Sequence, residues 1–274
     1  MRVGPYSVSV HNHGFFRLDG GAMFGSVPKP LWSREAPPDD ANRILLATRS
    51  LVIESADRRL IVDLGCGNKW DDKNREIFCV EPTETVPGIS DVLLTHLHFD
   101  HAGGVSRIED GVAVPCYPNA RHVVSGANLD NARHPNLRER ASYLPHNVDI
   151  LEKVELVLTD DGDEVWPGLT VHRSDGHTVG LQWVKLTDGN TTIAFPADLI
   201  PTSKHLPLPF VMGYDMCAQR VLDEKRAFLE QAVAESWIVV FEHDPILAAG
   251  RVRFDERGRA VLAEPVALPT YAPA

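Results

Sequence analysis

No stretch of this 274-residue sequence is apolar for long enough to span a bilayer, and its opening, MRVGPYSVSVHNHG, lacks the apolar segment of a secretory leader. The expectation is a cytoplasmic protein with no membrane partner. Cysteine is scarce: Cys66, Cys79, Cys116 and Cys217 lie far apart, with no CxxC pair, in a chain too long to need cross-links. They read as reduced, mostly buried thiols, none an evident nucleophile. Basic residues are in deficit, 27 Lys and Arg against 38 Asp and Glu for a net charge of −11, which works against a broad phosphate-backbone interface. Nucleic acid is therefore not an expected partner. No repeat, low-complexity tract or linker interrupts the chain, so one domain spanning residues 1–274 is the simplest organisation.

What is present is a series of short β-branched or apolar runs: RRLIVDLG, DVLLTH, ARHVVS, VELVLTD, LTVHRS, LQWVKLT, TTIAFPAD and WIVVFEHD. Helical periodicity is clearest in DMCAQRVLDEKRAFLEQAVAES, where Ala218, Leu222, Leu229, Ala232 and Val233 form an apolar stripe that Lys225 alone breaks. Shorter helices are expected around 71–79, 102–108, 126–132 and 136–144, and RVRFDERGRAVLAE reads as a hairpin turning at Arg257 and Gly258. Residues 19–43, rich in Gly, Pro and charge, read as a long loop inserted between early strands. Strands interleaved with helices indicate a layered α/β domain.

The strand ends carry the chemistry. The run DVLLT leads into His96, His98, Asp100 and His101; VHRSDG precedes His177, AFP precedes Asp198, and VVFE precedes His243. Alternate side chains of an extended segment share a face, so His96 and His98 point to one place while Asp100 and His101 follow as the chain turns into a helix. Gly103 and Gly104 let the backbone bend closely around them. Taken singly, an HxH is two surface histidines and an Asp after a strand is a helix cap. Imidazoles and carboxylates repeated in this order at successive strand ends are not explained that way. They suit zinc or another borderline divalent ion and are too many for one tetrahedral ion, so two metals are implied.

These residues resemble the metallo-β-lactamase-fold superfamily of metal-dependent hydrolases: THLHFDHAGG, DGHTVG, FPADL and FEHD, with the upstream IVDLGCG, cover the chain from about Leu60 to His243. The resemblance implies a four-layer αβ/βα sandwich, two mixed β-sheets flanked by helices, with a dinuclear site along one edge. It implies that His96, His98 and His177 hold one metal, that Asp100, His101 and His243 hold the second, and that Asp198 bridges them. It also implies that Asp63 orients a ligand imidazole, against the simpler reading of a turn residue at a strand end. Zn is the first expectation, with Fe, Mn and Co open. Two such cations acidify a water and deliver hydroxide to a carbonyl or phosphoryl centre, and Asp100 is a candidate for moving a proton as well.

Within that superfamily the chain is similar in organisation to the quorum-quenching lactonases, which makes a lactone or carboxylic ester the expected small-molecule substrate. One departure stands out: those lactonases commonly carry a Tyr three residues after the bridging Asp, where this chain has Pro201. Tyr214 or His205 is a candidate replacement, against ordinary loop residues. GHTVG also replaces the usual GHTPG. A phosphotriester substrate fits the apolar loops equally, and a metal-dependent binding or sensing module is the non-catalytic alternative. Met23, Phe24 and Trp32, with Leu206, Leu208, Phe210 and Met212, either wall an apolar pocket over the metals, pack beneath a loop, or form a homodimer contact.

Overall fold

A computed structural model describes residues 1–272. In chain order the strands are β1 (Arg2–Val3), β2 (Tyr6–Asp19), β3 (Arg43–Glu54), β4 (Arg59–Val62), β5 (Asp91–Leu94), β6 (Ser106–Glu109), β7 (Val112–Pro115), β8 (Arg121–Ser125) and β9 (Glu155–Thr159). They continue as β10 (Glu164–Trp166), β11 (Leu169–Ser174), β12 (Leu181–Thr187), β13 (Thr192–Phe195), β14 (Ile238–Val240), β15 (Ala249–Phe254) and β16 (Ala260–Pro265). The helices are α1 (Gly20–Phe24), α2 (Lys29–Trp32), α3 (Asp72–Phe78), α4 (Phe99–Ala102), α5 (Gly126–Arg133), α6 (Pro145–Val148) and α7 (Ala218–Ala234).

Two seven-stranded sheets result, one ordered β1-β2-β3-β4-β5-β8-β9 and the other running β10 to β16 in sequence, with β6 and β7 as a separate hairpin. Both are mixed. In the first, β4, β5, β8 and β9 run parallel while β1 to β4 alternate; in the second only β13 and β14 run parallel. The period of two sorts each strand's residues between layers. Leu93 and Val62 face the second sheet's Val184, Phe195 and Val240 in the central core, whereas Val92, Leu94 and Val124 face Leu129 and Ala132 of α5. On the other outer face, Ala194 and Val239 pack on Phe228 and Leu229 of α7. The order helix, sheet, sheet, helix is the expected four-layer α/β sandwich. Central parallel strands are buried on both faces, which is why DVLL reads as an unbroken apolar run after its Asp.

Several expectations need correction. The 102–108 helix is a single turn, α4, followed by a 3₁₀ turn and then β6. Asp110 and Gly111 take the paired positive φ values of a type I′ hairpin turn, a signal that overrides the helical reading. The 136–144 helix shrinks to a 3₁₀ turn at Arg140–Ser142. There Asn136 Oδ1 accepts from the backbone N–H groups of Arg138 and Glu139, an alternative to helix that asparagine offers. Of the four free thiols only Cys66 is buried; Cys79 and Cys217 are exposed. The buried face of α7 runs through Val221, Lys225, Phe228, Leu229 and Ala232, so Lys225 lies inside the stripe. Its ammonium donates to the carbonyls of His205 (2.7 Å) and Phe210 (2.8 Å), and burial pushes its pKa down to about 7.

Gly103 is also needed for a reason other than the expected bend. A Cβ on it would lie 2.1 Å from the Cys66 carbonyl carbon, and a Cβ on Gly67, at φ +68, would lie 2.1 Å from the Gly103 oxygen. The DLGCG and HAGG segments thus touch backbone to backbone, which seats the turn after β4 directly behind α4. Gly67→Ala adds this collision to a left-handed strain of about 1–2 kcal/mol, whereas at Gly111 (φ +78) a Cβ meets nothing within 4 Å. Thermal unfolding should show Gly67→Ala losing about 4 °C or more relative to Gly111→Ala; equal losses would show that the contact is not tight.

Candidate metal centre

All seven candidate ligands are buried at one edge of the sandwich. β5 ends at Leu94, and His96 follows two residues later. His98 sits just before α4, which carries Asp100 and His101. His177 lies in the turn between β11 and β12, and His243 just past β14. Asp198 is in the 3₁₀ turn after β13, directly after Ala197, a buried non-glycine residue held at φ +48. Backbone strain of that kind concentrates where a side chain must be aimed.

The ligand atoms form two clusters. His98 Nδ1 lies 3.1 Å from His96 Nε2 and 3.2 Å from His177 Nε2. His101 Nε2 lies 3.2 Å from His243 Nε2, with Asp100 Oδ1 at 3.8 Å from the former and Oδ2 at 3.7 Å from the latter. Asp198 reaches both: Oδ2 is 3.2 Å from His177 Nε2 and Oδ1 is 3.1 Å from His243 Nε2. Ligand atoms about 2.0–2.1 Å from a tetrahedral ion stand about 3.3 Å apart, which is the spacing found.

The outer nitrogens fix the tautomers. His177 Nδ1 is 2.8 Å from Asp215 Oδ1, His243 Nδ1 is 2.8 Å from the Ala47 carbonyl, and His101 Nδ1 is 3.0 Å from Asp63 Oδ2. His96 Nδ1 is 3.2 Å from Thr95 Oγ1, whose own proton goes to Asp63 at 2.6 Å. Each of these four outer positions carries its proton toward an acceptor, so in the neutral rings the Nε2 lone pairs of His96, His101, His177 and His243 face inward, where His98 presents Nδ1. Positive charge must sit among them. Protons compete for that place: burial disfavours the His243 imidazolium, yet Asp198 and Glu242 raise it to about 9, and Glu242, Asp100 and Asp198 raise His101 against its own burial. A divalent cation satisfies the same field and displaces those protons. The donor set therefore fits a metal.

Asp63 occupies a left-handed conformation (φ +60) and accepts from Thr95 N at 2.7 Å as well as from His101. Three supports were not anticipated from sequence: Asp215, Glu139 and Glu242. Glu139 lies 3.8 Å from His98 Nε2 and accepts from Thr178, Asn131 and Asn136. Glu242 approaches His101 Nδ1 at 3.2 Å, and burial, with Asp63 nearby, pushes its carboxyl up to about 8. Asp215 directly follows Tyr214 and Glu242 directly precedes His243, so neighbouring residues flagged both; Glu139, in an irregular turn, gave no signal.

A cavity of about 470 Å³ opens over the clusters, with His98, Asp100, His177, Asp198 and His243 in its lining. Of the candidate pocket residues, Met23 and Tyr214 line it, as does Met212. Phe24, Trp32, His205 and Phe210 do not. Phe24 stacks between Trp32 (5.4 Å) and His205 (4.7 Å), with Phe210 edge-on at 6.1 Å, so this group packs beneath the loop. His205 has both ring nitrogens engaged, by Thr202 Oγ1 and the Met23 carbonyl, which leaves none for a substrate. Pro201 gives its carbonyl to His243 N at 2.9 Å. Tyr214 is 37% exposed and its hydroxyl has no hydrogen-bond partner among the described residues. Burial, with Asp19 and Asp100, pushes its pKa up to about 12, so it stays a donor.

A two-sheet α/β sandwich with this cluster at its edge defines a metal-dependent hydrolase. The chain belongs to the metallo-beta-lactamase superfamily, whose family model matches residues 43–243. It is 30% identical to a probable metal-dependent hydrolase from Staphylococcus aureus of known structure, with 97% of this chain and 100% of that one covered at a TM-score of 0.85. A dizinc quorum-quenching lactonase, AidC, solved with a product bound, shares the fold at 18% identity, 98% and 97% coverage and a TM-score of 0.76. An N-acyl homoserine lactonase from a Bacillus species is 29% identical over 158 residues, which span 56% of this chain and about half, 55%, of that protein.

Asp215→Ala removes the acceptor that orients His177 and should weaken metal affinity about ten- to a hundredfold. Competition with a chromophoric chelator measures this. Unchanged affinity would mean that the turn alone holds the ring.

Proposed function

We propose that this chain is a dinuclear hydrolase that opens lactones or cleaves carboxylic esters of small molecules. The observation that carries the reading is Asp198, whose two oxygens face different histidine clusters at 3.2 and 3.1 Å. One carboxylate placed between two triads is a bridging ligand for two ions, with His96, His98 and His177 on one side and Asp100, His101 and His243 on the other. Neutral imidazole and carboxylate donors suit zinc, and the same set accepts Fe, Mn or Co according to supply. A pair of bound divalent ions supplies Lewis acidity and a nucleophile usable at neutral pH.

The remaining work falls to the chain's own residues. Tyr214, protonated and without a partner, is placed on the cavity wall to donate to an oxygen that becomes negative or leaves. This makes it the replacement for the lactonase tyrosine that Pro201 lacks. Leu18, Leu46, Phe78, Phe99 and Met212 give the cavity apolar lining for an acyl or alkyl arm. The volume suits a small molecule, and the acidic chain gives no reason to expect nucleic acid. No described helix is long and apolar enough to cross a membrane; a cytoplasmic enzyme fits the four unpaired thiols.

Initial rates on acyl lactones of graded chain length, followed as acid release by zinc-loaded protein, test the proposal, with Asp198→Asn as control. Ring opening should depend on chain length and fall at least about a hundredfold in the variant, together with loss of one metal per chain. Full activity in Asp198→Asn at full metal content would remove the bridging role. Turnover of phosphotriesters but not lactones would overturn the substrate assignment.

A further inference from the structure

The cavity over the metal centre contains one Lys or Arg side chain, Arg138. Its neighbour in sequence, Glu139, lines the same cavity but does not pair with it. Glu139 Oε1 accepts from Asn131 (3.1 Å) and Asn136 (2.8 Å), and Oε2 accepts from Thr178 (2.7 Å). Among the described residues Arg138 makes no ion pair. Its Nη2 donates to the carbonyls of Gly213 and Asp215, while Nε and Nη1 have no hydrogen-bond partner. A guanidinium is a permanent cation with donors arranged as a fork that matches a carboxylate. Here Nη2, which belongs to both bidentate edges of the group, ties the 136–142 turn to the loop bearing Tyr214, and Nε and Nη1 remain single free donors on an exposed side chain that lines the cavity.

The rest of the lining is divided in kind. Leu18 on β2, Leu46 on β3, Phe78 on α3 and Phe99 on α4 are apolar, whereas Arg138, Ser142 and Tyr214 come from the 138–142 turn and the 213–214 loop. A cation left unpaired in a protein of net charge −11, beside a carboxylate fully engaged elsewhere, is suited to a charge brought in by the ligand.

We propose that Arg138 is a specificity-determining residue that binds a carboxylate on the substrate, separate from the ester group that is cleaved. This rests on the hydrolase reading of the cavity and narrows it to esters or lactones that carry an anionic arm. Because Nη2 belongs to both bidentate edges of the guanidinium and stays on Gly213 and Asp215, the substrate carboxylate is held by a single charge-assisted donor, Nε or Nη1, and the loop tether stays in place.

Calorimetric titration of zinc-loaded protein with hexanoate, glutarate, adipate and suberate separates the roles without requiring turnover. Every ligand offers one carboxylate to the metals, and only the dicarboxylates offer a second. The wild type should bind at least one dicarboxylate about tenfold more tightly than hexanoate. Arg138→Gln should abolish that preference, leave hexanoate affinity within about twofold, and keep metal content unchanged; Arg138→Lys should retain part of it. No preference for any dicarboxylate in the wild type, or equal weakening of all four ligands in Arg138→Gln, would overturn the assignment and leave Arg138 a loop tether. A dicarboxylate preference with no ester or lactone turnover would instead refute the hydrolase reading while leaving the anion site standing.

Discussion

The structure depends on one electrostatic constraint: imidazole and carboxylate groups from four separate chain segments are buried with their donor atoms facing one another. Buried polar atoms without partners cost about 1–3 kcal/mol each, and converging lone pairs cost more. That arrangement folds only because four of the five rings are fixed from behind by Asp63, Thr95, Asp215 or the Ala47 carbonyl, with Glu139 3.8 Å behind the fifth, His98, and because positive charge is available in front. Both sheets are needed for it. Sheet one delivers His96 through His101 and the Ala47 carbonyl, and sheet two delivers His177, Asp198 and His243.

The supports reach beyond the ligands. Asp63 accepts from Thr95 and His101 together, so the turn after β4, the end of β5 and α4 are one hydrogen-bonded unit. The backbone contact between Gly67 and Gly103 closes the same unit from the other side. On the second sheet, Asp215 accepts from Met212 N and from His177, so the loop that shapes the cavity also aims a ligand. Lys225 anchors that loop further back by holding two of its carbonyls. Cavity wall and metal ligands are thus mechanically linked, and Arg138 joins the third wall segment to them.

The parts legible in the sequence were those with a local signature. Strands announced themselves by short apolar runs, α7 by its periodicity, and the seven candidate ligands, which the fold brings together, by their place at strand ends. What was missed depends on contacts distant in sequence or on competing local bonds. Asn136 diverts its own segment from helix, Asp110–Gly111 turns a helical-looking stretch into a hairpin, and Glu139 becomes a partner of Thr178 across 39 residues. For Phe24 and Trp32 the sequence left pocket wall, packing and dimer contact open, because composition cannot distinguish a wall from the packing behind it; with His205 they pack behind it, and Met23, adjacent to Phe24, does reach the cavity.

The central claim is that one carboxylate, Asp198, lies between two metal sites rather than beside one. Anomalous diffraction from zinc-loaded crystals, collected on either side of the zinc absorption edge, tests it directly. The account predicts two peaks about 3.5–4 Å apart, flanking the Asp198 carboxylate, one within the His96, His98 and His177 triad and the other against His101 and His243. A single peak at full zinc loading, or two peaks with Asp198 touching only one, would contradict it.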